Sequence, residues 1–409
     1  MISYIWKQSN QQKPLANFET EQVVKIQSAR IPQDMKQEKI NTLRVNDKKI
    51  MLSIDGGGIR GIIALQFLKK IESFARKISN NEDLKLNQCF DYVAGTSTGG
   101  IIAACIAVGK TVAEIEKMYF ESAKEMFKRR GFGKSILLSL YKSEGLENKL
   151  KEMFGSDTNL GSEKLGTLLM LVMHNADTTS PWPISSNPTA KYNGESPLSN
   201  LNFKLWQLVR ASAAAPLFFE PEVINIGHKN YRFLDGGITP YNNPAFKLFQ
   251  MATLPEYKLN WKTGADNMLL VSIGTGLMQK SSSALHIGSS AKNVIYALMS
   301  TSSAEQDLLC RSFGKVLAGE EIDSEVGDRI NKLAIGGKSL YSYIRYNADL
   351  DSERLNKKGF SFNKKISFQL DDLNSMVACQ SVGQHYAELA FRQDHFENFW
   401  DPKKPNRIN

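Results

Sequence analysis

At 409 residues, with 42% apolar and 23% charged side chains, the chain is neither a disordered tail nor too short to bury a sizeable core. Its net charge of +9 raises nucleic acid as a partner, but no Lys/Arg block is interleaved with aromatics, and no zinc, helix-turn-helix or RNA-binding signature appears. Nucleic-acid binding is therefore set aside. The four cysteines, Cys89, Cys105, Cys310 and Cys379, have neither paired nor metal-ligand spacing and read as reduced thiols of a cytosolic-type protein.

In chain order, residues 1–49 are polar and rich in Lys and Gln, with a helix expected over Phe18–Ile31 before Pro32. This segment is expected to be an extension, a cap or regulatory arm on the main domain. Its first residues, Met1–Gln12, lack the apolar core of a secretory signal. The longest apolar runs, Ile101–Val108 and Leu168–Met173, are too short to span a bilayer. The expectation is a cytoplasmic protein whose membrane contact is peripheral; export by a signal-independent route would leave no mark here.

Ile50–Ile54 reads as a buried strand, and three glycines, Gly56, Gly57 and Gly58, break it before an amphipathic helix over Ile62–Ile78. Strand, bare backbone and helix N-terminus together present free N–H groups where an anion is stabilised. Gly56, Gly58 and Gly61 also satisfy G-x-G-x-x-G. A dinucleotide site would want an acidic strand end roughly 20 residues on, whereas Ser79-Asn80-Asn81-Glu82-Asp83 is a polar turn.

A second strand, Phe90–Ala94, runs into Gly95-Thr96-Ser97-Thr98-Gly99 and an apolar helix over Ile101–Val108. This is G-x-S-x-G in the strand–turn–helix setting the motif requires, so Ser97 is the candidate nucleophile. Its base is less obvious. None of His174, His228, His286, His385 and His395 sits in a motif that recommends it, and Asp235, ending an apolar strand before Gly236-Gly237, is the better candidate.

Between these motifs, a helix is expected from Val112 to about Arg130. The basic, glycine-broken, partly apolar stretch Lys128–Lys142, including Arg129, Arg130, Phe132 and Lys134, is a candidate membrane contact. A short helix over Leu146–Phe154, a strand over Leu165–Met173, a loop over Thr178–Ser199 and a helix over Leu205–Ala215 follow. Met268–Ile273 is another strand, and Ser290–Phe313 and Asp372–Trp400 read as mostly helical. Strands alternating with helices predict an α/β fold: a three-layer α/β/α sandwich on a mostly parallel sheet, with the loops that carry chemistry at the strands' carboxyl ends.

Asp55-Gly56-Gly57-Gly58-Ile59-Arg60-Gly61, Gly95-Thr96-Ser97-Thr98-Gly99 and Asp235-Gly236-Gly237 resemble, in order, the three signatures of patatin-like phospholipases. Ala211–Phe219, Asn242-Asn243-Pro244 and Ser272–Gly276 also resemble family segments. The likeness is strong over about residues 50–280 and weak to about 390, through Tyr343–Tyr346 and Leu370–Asp372; the first 49 residues match nothing. The division it suggests is 1–49 extension, 50–345 catalytic domain, and 346–409 helical part packed on that domain.

The resemblance implies a phospholipase A-type lipid acyl hydrolase with a Ser97–Asp235 dyad, no histidine, and no cofactor or metal. Ser97 would attack an acyl ester, Asp235 would accept its proton, and water would free a fatty acid from the acyl-enzyme. Gly56, Gly57, Gly58 and Arg60 would form the oxyanion hole, with Gly95, Gly99, Gly236 and Gly237 supporting the turns. The implied partner is an anionic phospholipid surface, which fits the basic charge, with a small-molecule or protein activator as a modifier. Phe218, Phe219 and Pro221 would line an acyl channel or pack in the core. A carboxylate of ordinary pKa near 4 is a weak base for a hydroxyl, so Asp235 is expected in a desolvated cleft. Two alternatives stay open: a Ser-Asp-His α/β-hydrolase using His385 or His395, and a non-catalytic lipid-binding protein on the same frame.

Overall fold

The computed structural model describes residues 48–126, 139–277, 290–360 and 368–400. Nine strands form one sheet: β1 (Lys49–Ile54), β2 (Tyr92–Thr96), β3 (Leu168–Asn175), β4 (Ser180–Ser185), β5 (Glu222–Ile226), β6 (Lys229–Asp235), β7 (Met268–Ile273), β8 (Lys315–Ala318) and β9 (Ser342–Tyr346). Their order is β5-β6-β3-β2-β1-β7-β9-β8, with β4 also paired to β3. From β3 to β8 every neighbouring pair is parallel; β4, β5 and β6 are antiparallel additions. The mostly parallel sheet flanked by helices agrees with the expected fold class.

The eight longer helices are α1 (Gly61–Ser79), α2 (Thr98–Ala107), α3 (Val112–Met126), α4 (Ser143–Phe154), α5 (Leu205–Ser212), α6 (Ala245–Thr253), α7 (Ser290–Phe313) and α8 (Met376–Ala390). Every β1 residue is buried, because a parallel strand is covered on both faces. Its side chains alternate between two cores. Ile50, Leu52 and Ile54 join Val93, Leu171 and Ile344 beneath α1, α2 and α8. Met51 joins Tyr92, Met170 and Leu270 beneath α6.

Several segments differ from the sequence expectation. Thr178–Ser199 is not all loop, since Ser180–Ser185 is strand β4 despite Pro181 and Pro183. Among the described strands β4 pairs only with β3, and an edge strand tolerates prolines because its outward N–H positions need no partner. β2 begins at Tyr92 and reaches Thr96, so the strand runs right up to Ser97. The segment Asp372–Trp400 is helical only over Met376–Ala390, apart from single turns. Arg129, Arg130, Phe132 and Lys134 lie outside the described residues, as do Phe18–Ile31 and His286. Among the described residues no helix is long and apolar enough to cross a membrane.

The register explains how two motifs distant in sequence meet. β2 pairs with Leu168–Val172 of β3 along one edge, and β4 pairs with Met170–Asn175 along the other. β6 pairs with Met173–Asn175, whose other edge β4 already occupies, so β6 continues on β2's edge. The carboxyl ends of β2 and β6 therefore abut, Thr96 beside Val172 and Asp235 beside Met173. Gly236 turns the chain away at this junction, where a Cβ would lie 2.3 Å from the Val172 carbonyl oxygen and 3.0 Å from Thr96 Cγ2.

Candidate active site

Ser97 follows β2 directly and caps α2. Its φ of 55° and ψ of −126° are strained for a residue with a side chain. The strain is held from three sides. The Ser97 N–H donates to Ser212 Oγ at 3.0 Å, and the Ser212 hydroxyl donates to the Val172 carbonyl at 2.6 Å. Gly95 and Gly99 let the turn close, since a Cβ on Gly95 would sit 2.1 Å from the Gly99 oxygen and one on Gly99 2.3 Å from the Ile54 oxygen. The result is a 7% exposed hydroxyl at the positive end of a helix.

The Ser97 hydroxyl donates to Asp235 Oδ2 at 2.5 Å, and Asp235 Oδ1 accepts from the Gly237 N–H at 2.6 Å. The Asp235 N–H is fixed to the Ala214 carbonyl at 2.9 Å. Asp235 is 4% exposed. Burial pushes its carboxyl up to about 6, against the pull of Ser97, of the Gly237 amide and of the Arg210 charge. A carboxylate in that range is a stronger proton acceptor than an ordinary aspartate and is still mostly ionised at neutral pH.

The glycine loop lies over the hydroxyl, where a Cβ on Gly56 would fall 3.2 Å from Ser97 Cβ. Gly57 and Gly58 have N–H groups with no acceptor among the described residues. Gly58 takes φ +55°, and its Cα backs onto the Leu370 carbonyl, where a Cβ would lie 2.3 Å away. The other two oxyanion candidates require correction. The Gly56 N–H already donates to the Asn242 carbonyl at 3.0 Å, and the Arg60 N–H to the Gly57 carbonyl at 3.1 Å. The Arg60 side chain is 5% exposed with Nε unpartnered, and it is not among the residues lining the cavity beside Ser97. Behind the loop, Asp55 is clamped by Arg345 at 2.9 and 2.6 Å, and Arg345 also donates to Ser272 Oγ.

An apolar cavity opens on Ser97 and Asp235, with about 710 Å³ of empty space when the solvent at its opening is included. Ile101, Tyr119, Met126, Leu146, Phe218 and Phe219 line it together with Ile295, Met299 and Leu370. Phe218 and Phe219 thus serve both cavity and core, whereas Pro221 is exposed and outside the lining.

Among the described residues no histidine bonds to Ser97 or Asp235. His174 pairs in register with Leu234, so it faces away from the sheet side that Met173 and Asp235 share. His395 Nδ1 lies 2.7 Å from the Tyr346 hydroxyl, and His385 packs against Phe360. Ser212 and Arg345 are the residues that motif reading missed as supports. Ser212 stands inside the alanine-rich segment, where one hydroxyl among small residues is the only signal.

A buried hydroxyl hydrogen-bonded to a buried carboxylate, with free amides beside it and a hydrocarbon-lined cavity in front, can transfer an acyl group through an oxyanion. The family model described as patatin-like phospholipase matches residues 52–249, so this part of the chain is similar to that family. A cGAMP-activated phospholipase of Escherichia coli is 28% identical over 229 residues, covering 55% of this chain and 61% of that protein. Patatin-2-Kuras 4 of Solanum tuberosum is 30% identical over 243 residues, covering 55% and 62%. The 85/88 kDa calcium-independent phospholipase A2 of Mus musculus is 30% identical over 279 residues, covering 64% and 31%. The chain thus matches less than two thirds of the length of each. The crystal structure of VipD from Legionella pneumophila superposes with a TM-score of 0.37 at 13% identity, covering 88% of this chain and 73% of that one.

Proposed function

We infer that the protein is a lipid acyl hydrolase of phospholipase A type, with Ser97 as nucleophile and Asp235 as base. The single observation that carries this is the 2.5 Å hydrogen bond between them at the mouth of an apolar cavity. Ser97 Oγ attacks the ester carbonyl while its proton passes to Asp235 Oδ2. Negative charge collects on the carbonyl oxygen, for which the Gly57 and Gly58 amides are the free donors. Collapse expels the lysolipid alcohol, which takes the proton back from Asp235. Water, deprotonated by Asp235, then attacks the acyl-Ser97 ester, and collapse releases the fatty acid while Asp235 returns the proton to Ser97 Oγ. The match to the patatin-like family model supports the reaction class, and the engagement of His385 with Phe360 and of His395 with Tyr346 supports a dyad over the Ser-Asp-His alternative.

The cavity is lined mostly by apolar side chains. Its lining supports an acyl chain as occupant, drawn from a phospholipid surface. The Escherichia coli relative is named for activation by cGAMP; for this chain the reading includes a small-molecule activator, tested by assaying basal turnover with and without a cyclic dinucleotide.

The acyl-chain reading is tested by narrowing the cavity. Leu146 is 2% exposed and lies in the wall on α4. Leu146→Trp is expected to lower hydrolysis of a palmitate ester by about tenfold or more relative to a butyrate ester, because room for a single methylene in an apolar pocket is already worth about tenfold. Equal loss on both esters would mean that the cavity does not hold the chain.

A further inference from the structure

The wall of the cavity formed by α7 has two apolar sides. Ile295 and Met299 line the cavity. Val294 and Leu298, their neighbours on the helix, are 55% and 50% exposed. Ala297, Thr301 and Ala304 complete the same outward stripe, and Asn293–Ala304 contains no charged residue. A surface helix of a globular protein ordinarily carries its charges on the outward face. α3 does so, exposing Glu114, Lys117, Glu121 and Lys124.

A neighbouring segment of the lining repeats the pattern. Phe218 lines the cavity, while Leu217, at φ +70°, is 43% exposed. The two rims are neighbours, since Lys292 Nζ sits 4.8 Å over the Phe218 ring and pairs with Asp371 at 3.1 Å. Exposed aliphatic side chains thus flank cavity-lining ones on both segments.

We propose that the outward face of α7, centred on Val294 and Leu298 and joined by Leu217, is the surface on which this protein docks onto a lipid bilayer. This rests on the lipid acyl hydrolase reading, and it is the cavity behind the helix that selects a lipid surface over other occupants. A contiguous exposed apolar patch marks an interaction site. An uncharged helical face beside a hydrocarbon-lined site has bilayer chains as its natural partner, since each aliphatic group withdrawn from water there adds affinity. The face is distinct from the basic stretch around Arg129–Lys134 singled out in the sequence.

The test uses the full chain and the double variant Val294→Gln/Leu298→Gln, which changes neither a cavity residue nor the dyad. Three quantities are read: co-sedimentation with phosphatidylglycerol–phosphatidylcholine vesicles, hydrolysis of a dispersed butyrate ester, and mass by light scattering. The expected result is vesicle binding weakened by about tenfold or more with unchanged butyrate turnover and mass. Unchanged vesicle binding would overturn the docking surface and leave the hydrolase reading standing. A fall in mass would overturn it in favour of an interface between copies. A wild-type protein that turns over no butyrate ester, with or without activator, would withdraw the hydrolase reading and this surface with it.

Discussion

Asp235→Asn is expected to fold normally and to hydrolyse esters about a thousandfold or more slowly, the scale set by loss of one member of a catalytic unit. The asparagine can keep both native contacts, accepting from the Gly237 N–H and donating to Ser97 Oγ in place of the reversed bond. What it cannot do is take a proton. Ser97→Ala should cost as much, and the double variant no more, because the two side chains act on one proton.

The same carboxyl sets two pH dependences. With Asp235 pushed up to about 6 by burial, kcat/KM should rise with pH through that region and level off above it, because the base must be ionised. Stability runs the other way. The folded value lies above the unfolded one, so the group favours folding below the unfolded value, and that contribution is lost as pH rises through about 6. Asp235→Asn removes this cost. Urea unfolding should show the variant more stable than wild type by up to about 3 kcal/mol at mildly alkaline pH, with the difference vanishing in acid. A variant that is inactive and less stable at alkaline pH would mean that Asp235 is structural.

The second large effect lies behind the glycine loop. Asp55 and Arg345 are each 4% exposed and bonded through both guanidinium Nη atoms. Burial opposes the Arg345 charge, and the Asp55 carboxylate outweighs it, holding the guanidinium above its ordinary value. Arg345→Met leaves the carboxylate buried without its cation, a change that costs about 3–5 kcal/mol where a buried pair is broken. Burial then acts on Asp55 without Arg345's opposing pull, and Asp307, whose charge also raises it, adds to the effect. The carboxyl should protonate, so the variant recovers stability as pH falls. Adding Asp55→Leu removes the orphaned charge and should restore a good part of the loss, since apolar replacement of a whole buried pair is often near neutral. Chemical denaturation of the single and double variants at neutral and acid pH measures this. Equal stability of Arg345→Met and wild type at neutral pH would refute the clamp.

The legible parts of the fold were those whose signal is local. β1 and β7 are continuous apolar runs because both their faces are covered, and Ser97 and Asp235 stand at strand ends before glycines. The joining of Ser97 to Asp235 was not local: it depends on β2 and β6 abutting on one edge of β3, which register decides. Gly56 and Arg60 looked equivalent to Gly57 and Gly58 as amide donors. The acceptor that occupies the Gly56 N–H is the Asn242 carbonyl, distant in sequence, and the one on the Arg60 N–H arises from a single helical turn. β4 was masked by its prolines. β8 has four residues and pairs with β9 through a register shift, so neither hydrophobic period nor length marked it. α7 was visible as a helix, but only burial separates its cavity side from its exposed one.

That Ser97 carries the acyl group is tested most directly by mass spectrometry of the protein after reaction with a fluorophosphonate, with any required activator present. One adduct is expected, on Ser97, formed faster as pH rises through about 6 and absent from Ser97→Ala. An enzyme that hydrolyses lipid esters while Ser97 stays unmodified, or one modified on a different residue, would contradict it.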